Sequence, residues 1–592
     1  MFALPGKKRL AFESAWLVLV LMLSPAIPAL AQRPARPNPG STYAQGLAAM
    51  KQGDLATARL AFERAVKMTP RNADAQNALA QVMLQQGDID GAIQHFRVVT
   101  DLKPGLAIAH YYLAQALSAK GDVNEAVVEL RIAVRLAPKQ AEAHRALARA
   151  LSSQHQTDAA IAEMKDAVSL APARAEFHDQ LGALLAQQQQ FAAAELEFTS
   201  ALKLDPQYEP AEMHLGAALL SEGDPARAQQ ALQRAVSLDS KDALAYYYLG
   251  AALEAAKDAG NALSAYQKAV DLSPDFAPAQ THLGMLLQRS GDPEAAAAAF
   301  SRVVKLTPHD PEAHNNLGLA RMQQGEGDAA IEEFQSALKL SPEDTGIREN
   351  LGITYLQESN FDQAEKVLRA ALQIAPASAN LHYDLALALK LKDDLPGATA
   401  ELKEAIRLDP NLADAYYTYG VILWQQGDFP AAATQLQHAV SARPDYAEAY
   451  YTLGTVYKQM EKLPEAARAL HEAIRLEPDF AGAHTTLAAV LRQLGDTAGA
   501  AAESKAGIEL SRQKISLQAA TFATNSGRRL LQAGDLEGAI SQFRSALHSR
   551  PNYAPAHYQL GLALQRSGKK EEATQEFQKA EQLDPRLKPP MS

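Results

Sequence analysis

Histidine is the first residue type to test for chemistry, because its ring nitrogens bind metals and move protons near neutral pH. The chain has 592 residues and fifteen histidines. Seven of these, His110, His144, His178, His314, His382, His484 and His557, share one recurring slot, the first three being 34 residues apart. A metal site needs three or four ligands that converge on one point. Side chains that recur once per structural unit are carried apart by those units. The spacing therefore predicts a packing role for the slot and no metal site.

Other catalytic patterns are equally thin. Gly325-Glu326-Gly327, with Ala330 three further on, imitates a dinucleotide fingerprint. That motif has meaning only between a strand and a helix, and the surrounding residues read as helical. There is no nucleophile elbow, no phosphate loop ending in Gly-Lys-Ser/Thr and no paired-histidine zinc motif. Glu332-Glu333 and Glu571-Glu572 sit on helix faces and read as solvated charge. The absence of cysteine excludes disulfides, thiolate metal sites and a cysteine nucleophile. No catalytic residue and no cofactor is expected. A net charge of −11 argues against nucleic acid as a partner, since such binding needs a basic surface.

The elements behind these residues follow a ruler. Prolines stand at Pro70, Pro104, Pro138, Pro172 and Pro206, then from Pro274 to Pro478 at the same 34-residue step. Pro551 and Pro585 continue it after a five-residue slip. Seventeen residues ahead of the prolines runs a Gly-Asp series that includes Gly53-Asp54, Gly87-Asp88, Gly291-Asp292 and Gly427-Asp428. Glycine ends a helix in the left-handed conformation, aspartate caps the next one, and proline stops it. Glu125, three after Asp122, suggests a capping box there. An alanine recurs in all sixteen units, from Ala58 and Ala92 to Ala539 and Ala573. Four residues later comes a large apolar group such as Phe62, Phe198, Tyr266 or Phe543, one helical turn on and therefore on the same face. The fold class expected is all-α, a solenoid of about sixteen helix-turn-helix units.

This pattern resembles the tetratricopeptide repeat family, whose 34-residue motif includes Leu-Gly, then Ala, then Phe, then Pro. The Leu-Gly pair stands as Leu181-Gly182, Leu249-Gly250, Leu317-Gly318, Leu453-Gly454 and Leu560-Gly561, among others. The match covers residues 39–587, although the family's tryptophan at the fourth position is replaced by histidine or tyrosine. The resemblance implies a right-handed superhelix whose first helices line a concave groove, with positions two, five, nine and twelve facing it. It also implies that the partners are other proteins or extended peptides.

On that reading position five is rich in tyrosine, and repeats eleven to thirteen are the densest stretch. Tyr383, Tyr417, Tyr451 and Trp424 are the candidate partner-binding residues there, with Asp414 and Glu448 favouring a basic ligand. Tyr111 and Tyr247 are secondary candidates. Aromatic residues suit interfaces because they bury much area and keep a polar handle.

The domain plan is a targeting segment at 1–31, a Pro-rich linker at 32–38, repeats one to fourteen at 39–514, an insertion at 515–519, repeats fifteen and sixteen at 520–587 and a tail at 588–592. No strong breaker lies between Ile508 and Asn525, so a long helix or an altered junction is expected there. Lys7, Lys8 and Arg9, the apolar run Ala15 to Leu23 and the small residues Ala29 and Ala31 read as a secretory signal cut after Ala31. The apolar run is too short to span a bilayer. Export to the periplasm or the extracellular space follows, the alternative being an uncleaved inner-membrane anchor. The functional expectation is an exported scaffold or adaptor in a bacterial cell-envelope or secretion assembly. The alternatives are a substrate-recruiting accessory subunit of a separate enzyme, such as a glycosyltransferase or peptidoglycan enzyme, and a saccharide-binding array.

Overall fold

The computed structural model describes residues 38–587. The signal segment, its cleavage point after Ala31, most of the linker and the five-residue tail lie outside the described residues. Within them are 31 α-helices and no strand. Each repeat is a first helix of thirteen or fourteen residues and a second of fourteen, as in Ala141–Ser153 and Thr157–Leu170.

The local signals account for the boundaries. The Asp54 carboxylate accepts the Thr57 N–H at 3.0 Å, and Asp88, Asp292, Asp428, Asp496 and Asp535 cap their helices in the same way. The capping box expected at Asp122 does not form. Asp122 makes no side-chain cap bond and instead faces Lys120 at 3.7 Å. The glycines of the ruler are left-handed, Gly121 with φ 94° for example. Six repeats lack that glycine, and His155, Gln189, Lys257, Ser359, Asp393 and Glu461 adopt the left-handed conformation in its place.

Packing follows from the small–large pairing. All sixteen recurring alanines are 3% exposed or less, so the two helices of every repeat approach closely. Phe62, Phe96, Phe198, Tyr266, Phe300, Phe334 and Phe543 are fully buried. Each such ring contributes roughly 1.5–3 kcal/mol by leaving water. No other layer is present among the described residues, so the core is a line of small clusters rather than one centre.

The chain divides into two compact units, Met1–Pro308 and His309–Ser592. In each, helices pack in chain order, every helix against the next. First helices of successive repeats also meet. In the first unit Ala175–Gln187 touches Glu209–Glu222, which touches Ala243–Ala255. In the second unit Thr345–Gln357 touches Ala379–Leu391, and Ala447–Gln459 touches Ala481–Gln493. Successive first helices thus meet at several places within each unit.

The second unit contains one exception to the two-helix rule. Thr497–Gln532 is a single helix of 36 residues. Its first part packs on Ala481–Gln493 as the second helix of repeat fourteen, and its last part packs on Leu536–Ser549 as the first helix of repeat fifteen. The absence of a glycine or proline break between Ile508 and Asn525 lets the helix run on. Between these parts, residues 512–519 are exposed on nearly all sides, Ile515 by 66%. No helix among the described residues is long and apolar enough to cross a membrane.

Candidate functional site

The recurring histidines are polar clips. His110 Nδ1 meets Glu129 at 2.6 Å, and Nε2 meets the Pro104 carbonyl at 3.0 Å. The carboxylate belongs to the second helix of the same repeat and the carbonyl to the turn before the first. One ring thus ties three pieces of chain together. The pairs His178–Glu197, His382–Glu401, His484–Glu503 and His557–Glu576 repeat both contacts, and His314 meets Glu333 at 2.7 Å. Gln76 fills the same slot, donating from Nε2 to the Pro70 carbonyl at 2.7 Å. Each of the seven histidines is followed nineteen residues later by glutamate, a spacing visible in the sequence.

The first-helix face of repeats eleven to thirteen holds the candidate binding residues. All of them except Glu448 are half-buried. Asp414 is committed: both Arg443 guanidinium nitrogens bond its carboxylate, and the Tyr446 hydroxyl donates to Oδ1 at 3.0 Å. Arg443 also lies over the Tyr446 ring, 4.7 Å from its centre. Tyr417 packs on the same ring with centroids 5.1 Å apart. Tyr451 packs on Phe480 at 4.8 Å. Trp424 donates from Nε1 to Gln459 at 2.7 Å, beside a shallow polar hollow lined by Thr455, Lys458, Gln459, Glu461, Leu463 and Gln493. Glu448 stays apart, exposed and without an ion pair among the described residues.

Tyr417 and Tyr451 therefore share one arrangement. A position-five ring packs on the residue just before the first helix of the next repeat. Tyr247 does so on Phe276 at 5.1 Å, within a cluster that adds Tyr248, Tyr266 and His282. Tyr111 differs: it lies against Tyr112, and its hydroxyl accepts from Gln115 at 2.8 Å. Tyr111 and Tyr247 stand in separate repeats of the first unit. Phe276, Tyr446 and Phe480 were not singled out, yet each lies two residues after a ruler proline.

A second set of groups recurs on the first helices of each unit. Position five of one repeat meets position six of the next, 35 residues on. Asp179 holds His214 at 2.8 Å, and Asn350 donates to Asn315 at 3.0 Å. Glu349 hydrogen-bonds Asp384, and Tyr383 hydrogen-bonds Thr418. Asp384 is buried, and its Oδ2 has no hydrogen-bond partner. Burial first, then the charge and hydrogen bond of Glu349, push Asp384 up to about 7. Burial raises Glu349 as well. Burial also raises the Tyr383 hydroxyl above its ordinary range. Glu349 and Asp384 are thus engaged with each other and Asp414 is balanced within the stack, while Glu448 stays exposed and unpaired among the described residues.

Comparisons with known proteins identify the repeats. Models described as tetratricopeptide repeats match residues 43–107, 145–209, 213–275 and 282–345, and others match 83–150, 321–389, 447–480 and 554–587. A TPR repeat model matches 390–427, 420–461 and 527–568. Solved structures with similarity include the Cut9–Hcn1 hetero-tetramer of APC/C, at 17% identity over 89% of this chain and 96% of that one, with TM-score 0.35. Yeast Tom70 is 18% identical over 71% of this chain and 96% of its own, with TM-score 0.37. YrrB, described as a TPR protein with an unusual peptide-binding site, is 20% identical over 31% of this chain and 95% of its own, with TM-score 0.29. No curated protein sequence matches the chain.

Proposed function

The chain belongs to the tetratricopeptide repeat family, and we propose that it is an exported scaffold or adaptor in a bacterial cell-envelope or secretion assembly. In this reading it binds an extended segment of a partner protein and performs no chemistry on it. The segment lies along the first helices of repeats ten to thirteen. Tyr383, Tyr417, Trp424 and Tyr451 supply apolar contact area, and the exposed Glu448 receives a basic side chain. Asp414 acts through Arg443 and Tyr446, holding the Tyr417 ring in place.

The observation that carries the reading is the ordered row of half-buried tyrosines on one helix face, each propped by a residue of the next repeat. Preorganised rings lose little entropy when a ligand settles on them. Export rests on the basic start, apolar run and small residues that end at Ala31.

The test is affinity capture from envelope fractions with the full-length secreted chain, followed by mass spectrometry. Tyr417→Ala with Trp424→Ala is expected to lose the captured partner. Unchanged capture would refute the binding face. N-terminal sequencing of the chain recovered outside the cytoplasm is expected to begin at Gln32.

A further inference from the structure

We propose that His144, Glu163 and Asp166 form a binding site for one divalent transition-metal ion, with zinc as the expected occupant. The three sit in repeat four. His144 projects from Ala141–Ser153, while Glu163 and Asp166 project from Thr157–Leu170. The two acids are three residues apart and so share a helix face. One ligand atom from each converges, all within 4.8 Å of one another, and this is the one such triad among the described residues. His144 Nδ1 stands 2.7 Å from Glu163 Oε2 and 3.9 Å from Asp166 Oδ2. Ligands around a tetrahedral zinc lie roughly 3.3 Å apart, given Zn–N and Zn–O bonds of about 2.0–2.2 Å. Small side-chain rotations bring the three to that spacing.

The other face of the ring is held as in the other histidine clips. His144 Nε2 lies 3.1 Å from the Pro138 carbonyl. A proton donated there leaves the Nδ1 lone pair pointing at the acids. Metal-binding histidines characteristically make this backbone bond through their second nitrogen, which fixes tautomer and ring plane. One imidazole and two carboxylates suit zinc, cobalt or manganese rather than calcium. His144 is buried, while Asp166 is 64% exposed and leaves the remaining coordination positions open to water.

The other histidine clips are internal controls. Each keeps the histidine–glutamate pair, so recurrence explains the pair and not the third acid. Three residues after the glutamate those repeats carry Ile132, Ser200, Ser336, Ala506 or Lys579. The remaining one carries Glu404, whose carboxylate is clasped by Arg407 through two bonds of 2.8 and 2.6 Å. Asp166 has no ion pair except with His144 among the described residues. These three ligands lie within one repeat, so the 34-residue separation that parts the recurring histidines does not part them.

The test is titration of the untagged secreted chain with zinc by calorimetry, and with cobalt by visible absorption. One ion per chain is expected, with the absorption of a low-symmetry nitrogen–oxygen site. Asp166→Asn changes an exposed side chain, leaves the fold intact by circular dichroism and is expected to weaken binding on the order of tenfold or more. His144→Gln is expected to abolish it, and His110→Gln to leave it unchanged. No saturable binding, or binding that Asp166→Asn leaves untouched, overturns the proposal. Should His144→Gln fail to fold, Asp166→Asn alone decides.

Discussion

The β-carbon that Gly182 lacks would stand 2.6 Å from Cε1 of Phe198. Phe198 is fully buried and cannot swing away. The same clash recurs at Gly250 with Tyr266, Gly318 with Phe334 and Gly561 with Phe577. The Leu-Gly pair is therefore a seat for the ring of the facing helix. Ala80, opposite Phe96, shows that one methyl fits when a repeat is built around it. A branched side chain does not. Gly182→Val is expected to destabilise by about 1–3 kcal/mol through overpacking, read as a lower denaturation midpoint. An unchanged midpoint would show that the two helices part freely.

The left-handed turn gives the opposite sign. Lys257 holds φ 63° where other repeats place glycine. A side chain in that conformation costs roughly 1–2 kcal/mol, partly offset by the unfolded-state freedom that glycine adds. Lys257→Gly is expected to raise stability by about 0.5–1 kcal/mol. Thermal unfolding of the variant beside the parent chain measures it, and a lower midpoint would contradict the strain.

Much of this architecture could be read from spacing alone. Gly53, Asp54, Ala58, Phe62 and Pro70 mark turn, cap, close approach, filler and stop, each for a local reason that needs no knowledge of neighbours. Contacts between repeats were less legible. Tyr417 was found by type, but its packing on Tyr446 depends on how far the next repeat is shifted, which residue types do not encode. Asp414 read as free acid for that reason, since Arg443 lies 29 residues away on a different turn. Asp122 makes no cap bond, and its carboxylate lies 3.7 Å from Lys120, whose nearer partner is Asp90 at 2.9 Å.

The clip makes a graded prediction. Removing the ring in His110→Ala leaves the Glu129 carboxylate and the Pro104 carbonyl without their ring partner. An abandoned buried polar group costs about 1–3 kcal/mol. Glutamine already works in this slot at Gln76 and Gln280, each donating to a proline carbonyl. His110→Gln is therefore expected to lose less than His110→Ala. Equal losses in chemical denaturation would show that the ring contributes volume rather than hydrogen bonds.

Asp384 predicts a dependence on pH. In the native chain burial and Glu349 push it up to about 7, whereas an unfolded aspartate titrates at about 3.9. Between these values the native state keeps a proton that the unfolded state releases. Stability therefore falls as pH rises through that window, and the penalty is complete above it. Asp384→Asn removes the titration. The variant is expected to be more stable than the parent at pH 8 and to show little of that gain at pH 4. A gain that is the same at both values would contradict a native pKa set by burial and Glu349.

The long helix Thr497–Gln532 sets the last expectation. Its ends are held by packing, the first on Ala481–Gln493 and the last on Leu536–Ser549. Repeat fourteen is also poorly filled, because Ser504 stands where other repeats place a large apolar group and Gly507 where they place alanine. Residues 512–519 have helical hydrogen bonds and almost no tertiary cover. Helical stability in proteins comes mainly from a packed face rather than from propensity. Local opening there needs little surface to be exposed, so its free energy should lie near the low end for this chain. Native-state hydrogen exchange is expected to find amides 512–519 less protected than those of Ala447–Gln459, a first helix packed on both sides. Equal protection along the two helices would mean that the exposed segment opens only with its packed ends, and that repeats fourteen to sixteen unfold as one body.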